Sequence, residues 1–171
     1  MWQYSGNKRP SFAETPATGQ ESVWDYPRPP ALRLDTRKVL VCLGKIEIAE
    51  SNATYRILET ASPPTFYIPP KDVCMGLLVD GKGKSFCEWK GTARYWSLML
   101  AGRFIENIAW GYEQPNSAFS TIAGCLSFYP GLVKCFVDGE RVRPQPGGFY
   151  GGWLTDEIAG PVKGLPGTSN W

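Results

Sequence analysis

The 171-residue chain contains no histidine. That removes the commonest acid–base catalyst and the commonest metal ligand. Its five cysteines, Cys42, Cys74, Cys87, Cys125 and Cys135, form no Cys-x-x-Cys pair. An odd, scattered set argues against a disulfide framework, and no structural zinc is expected. Met1 to Lys8 holds no apolar h-region, and no stretch approaches a membrane span. These absences predict a reducing cytoplasm and no membrane partner. An excess of one charge is missing too. Lys and Arg number 18 against 16 Asp and Glu, and the net +2 is too small to imply nucleic acid as a partner.

Paired carboxylates are also lacking. Asp25, Glu59, Asp72 and Asp156 are scattered, and no Asp-x-Asp occurs. Magnesium-dependent transfer from a nucleotide usually needs such a pair. The run Gly76-Leu77-Leu78-Val79-Asp80-Gly81-Lys82-Gly83 comes near a phosphate loop. Its last position is glycine where a magnesium-binding hydroxyl belongs, and its inner residues are bulky. A tight turn at Asp80-Gly81 explains the same letters.

What the chain does have is rings. Aromatics make up 13% of it, with seven tryptophans, so either a large core is built on rings or some rings line a cavity. The densest block is Phe86-Cys87-Glu88-Trp89-Lys90-Gly91-Thr92-Ala93-Arg94-Tyr95-Trp96.

The organisation reads as mainly β. Residues 1–22 form a flexible arm. Residues 23–143 form a β domain, entered through an extended strap from Val23 to Pro30 whose prolines fix its path. Residues 144–171 form a Gly/Pro-rich tail of the same domain, held by its rings. Hairpins are predicted at Gly44, Ala101-Gly102 and Asp138-Gly139. One short helix is predicted from Asn116 or Ser117 through Phe128.

The hairpin at Ala101-Gly102 folds residues 92–100 against 103–112. It gathers Tyr67, Lys90, Arg94, Tyr95, Trp96, Trp110 and Tyr112, with Glu59, as candidate ligand-binding residues. Such a set suits a slot that stacks a planar ligand and pairs an anionic group with a cation. The same set also suits an aromatic core with Lys and Arg at its rim. Lys90, just ahead of the first strand, is expected at the cavity mouth as an exposed cation. Cys87 is a candidate thiol beside Glu88 and Lys90, and equally a small buried hydrophobe. No catalytic residue is assigned.

Several segments resemble the domain-of-unknown-function family 427. They are Val23 to Pro30, Glu59-Thr60, Pro64 to Pro69, Cys87 to Gly91, Ala93 to Trp96, Ala109 to Tyr112 and Phe149 to Trp153. The resemblance runs from about residue 23 to the end. It implies twisted antiparallel sheets with a short helix, often described as tent-like. The family is sometimes labelled nucleotidyltransferase-like, and this chain lacks the Gly-Ser turn and Asp-x-Asp pair of the well-known transferases. Where members usually carry a proline after the motif cysteine, Glu88 stands here. The expected function is binding of a small planar or anionic ligand in an aromatic slot, with the cofactor unassigned. A group-transfer enzyme using Lys90, Glu59 and Cys87, and a protein-interaction module with exposed rings, are the alternatives.

Overall fold

Prolines and left-handed turns cut this chain into short strands. The computed structural model describes residues 1–171. In chain order the strands are β1 (Glu21–Ser22), β2 (Ala31–Asp35), β3 (Val39–Leu43), β4 (Ile46–Ser51), β5 (Thr54–Leu58) and β6 (Thr65–Tyr67). Then come β7 (Leu78–Cys87), β8 (Gly91–Leu100), β9 (Arg103–Gly111), β10 (Leu126–Phe128), β11 (Lys134–Val137) and β12 (Glu140–Arg141). The tail adds β13 (Arg143–Pro144), β14 (Trp153–Leu154) and β15 (Ile158–Ala159). The fold is mainly β, as read from the hairpin signals, and no helix is long and apolar enough to cross a membrane.

One four-stranded antiparallel sheet runs β10-β9-β8-β7, and a second runs β12-β11-β3-β4. A three-stranded sheet, β2-β5-β6, joins the first through Ile68 and Leu126, whose amides and carbonyls exchange bonds of 2.8 and 2.9 Å. The main core includes Val41, Ile48, Leu98, Ile108, Phe128 and Trp153, all fully or almost fully buried. A second cluster gathers Ile57, Tyr67, Trp110, Tyr112 and Phe119. A third surrounds Trp24, against which Tyr4, Phe12 and Trp171 set their rings at 5.2, 5.3 and 5.2 Å. The two ends of the chain thus meet on one buried indole.

The Ala101-Gly102 turn has φ of 45° and 79°, the left-handed pair that a two-residue hairpin demands. It joins β8 to β9 with Leu100 opposite Arg103. Two expectations need correction. The helix through Phe128 is only a 3₁₀ segment, Ser117–Ile122, and Leu126–Phe128 is a strand paired with β9. The Asp80-Gly81 turn does not exist either. Both residues lie within β7, where a bulge between Asp80 and Lys84 absorbs the turn-forming letters.

Candidate functional site

Strand β7 ends at Cys87 and β8 begins at Gly91, with those two residues paired. Glu88, Trp89 and Lys90 therefore form a tight turn, not a continuing strand. Asn116 holds this turn: its amide donates to the Lys90 carbonyl at 3.1 Å, and its side chain donates to the Trp89 carbonyl at 2.8 Å. The residue expected to cap a helix instead clamps the turn that carries Lys90. The clamp curls Lys90 inward, so it is only 7% exposed, against the expected exposed position.

Beside this turn lies a cavity of 430 Å³. Its walls are built from four parts. Strands β5 and β6 give Ile57 and Tyr67, Glu59 follows the end of β5, and Cys87 at the end of β7 leads into Glu88, Trp89 and Lys90 of the turn. Tyr95, Trp110 and Tyr112 come from β8, β9 and the residue just beyond β9. The tail closes the far side with Gln145, Tyr150, Gly151 and Lys163, and Trp2 covers the mouth from the N-terminal arm.

Of the candidates, Glu59, Tyr67, Cys87, Lys90, Tyr95, Trp110 and Tyr112 line this cavity. Arg94 and Trp96 do not. Register decides the split. Tyr95 pairs with Trp110, whereas Arg94 pairs with Gly111 and Trp96 with Ala109, and alternate residues point to opposite faces. On the other face the Arg94 guanidinium stacks over Trp96 at 4.3 Å and forms ion pairs with Asp80 and Glu113. It is a satisfied structural cation.

Inside the cavity the rings interlock. The Trp110 indole donates to the Tyr67 hydroxyl at 3.2 Å, and its ring sits 4.5 Å from that of Tyr129. The Tyr95 hydroxyl donates to Ser85 at 2.9 Å. Burial pushes the phenols of Tyr67 and Tyr112 above the ordinary tyrosine range, so both stay neutral hydrogen-bonding groups. Glu59 accepts from Arg28 at 3.3 Å, and Arg28 also donates to the carbonyls of Tyr4 and Thr60 at 2.7 and 2.8 Å.

Two lysines are left without such partners. The Lys90 ammonium makes no ion pair; it faces the rings of Tyr112 and Phe119 at 5.8 and 5.9 Å. Burial pulls its pKa down, but Tyr67, Cys87 and Glu59 outweigh that and hold it above the ordinary lysine value. Lys163, 2% exposed, also lacks an ion pair. Its ammonium lies 4.0 Å from the Trp2 ring centroid and 5.2 Å from that of Tyr150. Burial lowers it to about 8, with Glu59 opposing, Arg28 reinforcing and Glu88 opposing again.

Sequence reasoning passed over Trp2, Tyr150 and Lys163. Tyr150 has a local signal in the aromatic Gly-Gly motif, while Trp2 and Lys163 carry none because only long-range folding brings them here.

The cysteines are all free thiols, and only Cys87 lines the cavity. No group of three or more Cys, Asp and Glu side chains is placed to hold a metal ion.

No curated protein matches this chain significantly. A family match exists, and it is narrower than the resemblance drawn from residue 23 onward: the strap and the tail lie outside it. The matched segment contains Glu59, Tyr67, Cys87, Lys90, Tyr95 and Trp110, and excludes Trp2, Tyr150 and Lys163. Residues 31–141 match the family described as Domain of unknown function (DUF427), and the chain belongs to that family.

Proposed function

We propose that this protein binds a small planar anion in the aromatic cavity. The observation that carries the reading is Lys90, a buried ammonium that makes no ion pair, set among rings at a cavity wall. An ammonium that stays charged but makes no ion pair is free to donate to an anionic group of a ligand, and a charge-assisted hydrogen bond is the stronger kind. Tyr67, Trp110 and Tyr112 offer faces and edges against which a flat molecule packs. The 430 Å³ volume lies within the range of about 300–1,000 Å³ typical of small-ligand sites. Unpaired thiols suit a reducing compartment, and we place the protein in the cytoplasm.

The test is a titration followed by tryptophan fluorescence with two molecules of one shape, terephthalate and its neutral diamide. Preference for the dianion, abolished in Lys90→Met, is the expected result. Equal responses to both, or none to either, would refute the reading. Turnover of a nucleotide that depends on Lys90, Glu59 and Cys87 would favour group transfer instead. Capture of a protein partner through the exposed rings of Phe86 and Phe149 would favour the interaction module.

A further inference from the structure

We infer that Lys163 is a covalent anchor, forming an imine with an aromatic aldehyde or ketone that carries an anionic group. The inference rests on the ligand-binding reading above and deepens it by naming the reactive function of the ligand.

Placement comes first. Lys163 lies outside the matched family segment, in the tail, yet its side chain reaches the same cavity wall system as Lys90. Its backbone is fixed on both sides. The Lys163 amide donates to the Ala61 carbonyl at 2.7 Å, and its carbonyl accepts from the Gln145 side chain at 2.8 Å. Gln145 in turn accepts from the Gly152 amide at 3.0 Å. A long flexible side chain is thus delivered from a rigid anchor, as a reactive group requires.

Surroundings come second. The amine makes no ion pair, its nitrogen lies 4.0 Å from the Trp2 ring centroid, and burial outweighs the pull of Glu59 and Glu88 on its proton. A lysine desolvated in an apolar site near other cations is the usual form of a nucleophilic lysine. Here Arg28 is one such cation and contributes to the lowered pKa. With the value near 8, about one side chain in ten is a free amine at pH 7, against about one in three thousand for an ordinary lysine.

The chemistry balances without an outside oxidant. The ammonium loses one proton to solvent. The free amine adds to the carbonyl carbon, its nitrogen gives up a proton, and the oxygen takes one to become a hydroxyl. That hydroxyl is protonated and leaves as water, giving a protonated imine. The product keeps a positive charge on the same nitrogen, so the Trp2 and Tyr150 rings that face the ammonium also face the iminium. Lys90 then pairs with the anionic substituent.

The probe is 4-formylbenzoate, incubated with the full chain and trapped by cyanoborohydride, with peptide mass mapping of every lysine. The expected adduct is on Lys163, forming about tenfold or more faster than on the exposed Lys45, Lys71 and Lys134, as each pKa unit gives a tenfold gain in free amine. Excess terephthalate suppresses it, and Lys163→Arg removes it without redistributing the label. Even labelling across the exposed lysines, or an unmodified Lys163, overturns the imine. Terephthalate binding without a Lys163 adduct sinks the covalent step and leaves the cavity reading standing. Failure to bind terephthalate sinks the cavity reading, and the Lys163 adduct rate then decides the covalent step by itself.

Discussion

The Trp2 indole lies 4.0 Å from the Lys163 ammonium, although the two residues stand near opposite ends of the chain. The same indole receives Arg28 at 4.2 Å, and its N–H donates to Glu88 at 2.5 Å. One ring thus bridges the strap, the tail and the β7–β8 turn. It covers the cavity where those three parts meet.

Trp2→Ala should open the mouth. The expected result is faster association of terephthalate in stopped-flow fluorescence. Unfolding stability in urea should fall by about 1–3 kcal/mol, because the ring faces two buried cations and donates to Glu88. Slower association or weaker binding would make Trp2 a stacking wall, not a cover.

Stability should rise with pH through Lys163. Its folded pKa of about 8 lies below the ordinary value of 10.5. Between those values the unfolded chain binds more protons than the folded one, so the slope of stability against pH is positive. The side chain faces Glu59, Arg28 and Glu88, and Tyr150 lies against it. Buried tyrosines with raised pKa values, Tyr112 among them, act in the opposite sense above pH 10. The readout is therefore the difference between wild type and Lys163→Met in urea unfolding. Wild type should gain on the variant from pH 8 to 10.5. A constant gap across that window would contradict the depressed value.

How far the sequence revealed this site depends on the range of each contact. The Ala101-Gly102 hairpin was legible because a two-residue loop demands left-handed residues. Counting outward from Leu100 and Arg103 also puts Tyr95, not Trp96, on the face of Trp110. The bulge near Asn107, at φ 51°, shifts the register by two and keeps that parity. The helix through Phe128 failed because a local cap signal at Asn116 lost to long-range pairing of Leu126 with Gly111. Lys90 was misjudged for the same reason: Asn116 tucks its turn inward. Trp2 and Lys163 were invisible because their place depends on both termini folding back.

Gly151 fixes the position of Trp110. A Cβ at Gly151 would lie 2.2 Å from the Trp110 Cη2 atom and 2.4 Å from Cζ3, far inside contact distance. Gly151→Ala must push the indole into the cavity or displace the tail. Overpacking of this kind costs about 1–3 kcal/mol. The expected signs are that loss in urea unfolding, a shifted tryptophan emission and weaker terephthalate binding. Wild-type behaviour in all three would show that the tail does not press on the ring.

Lys90→Met separates charge from shape. The methionine fills a similar volume and removes an ammonium that has no ion-pair partner. The Asn116 clamp survives, because it binds the backbone of Trp89 and Lys90 and not the lysine head. Tyr67, Cys87 and Glu59 outweigh the desolvation of this ammonium, so removing it should lower stability modestly at neutral pH without unfolding the protein. Terephthalate should lose about 1.5–3 kcal/mol of binding, the worth of a hydrogen bond to a charged group. The diamide should be nearly unaffected. Urea unfolding and the paired fluorescence titrations read both quantities. Were Lys90→Met to unfold the protein while Lys90→Arg bound both molecules as weakly, the lysine would be a structural cation closing the turn. A folded variant that loses the dianion alone assigns it to the ligand.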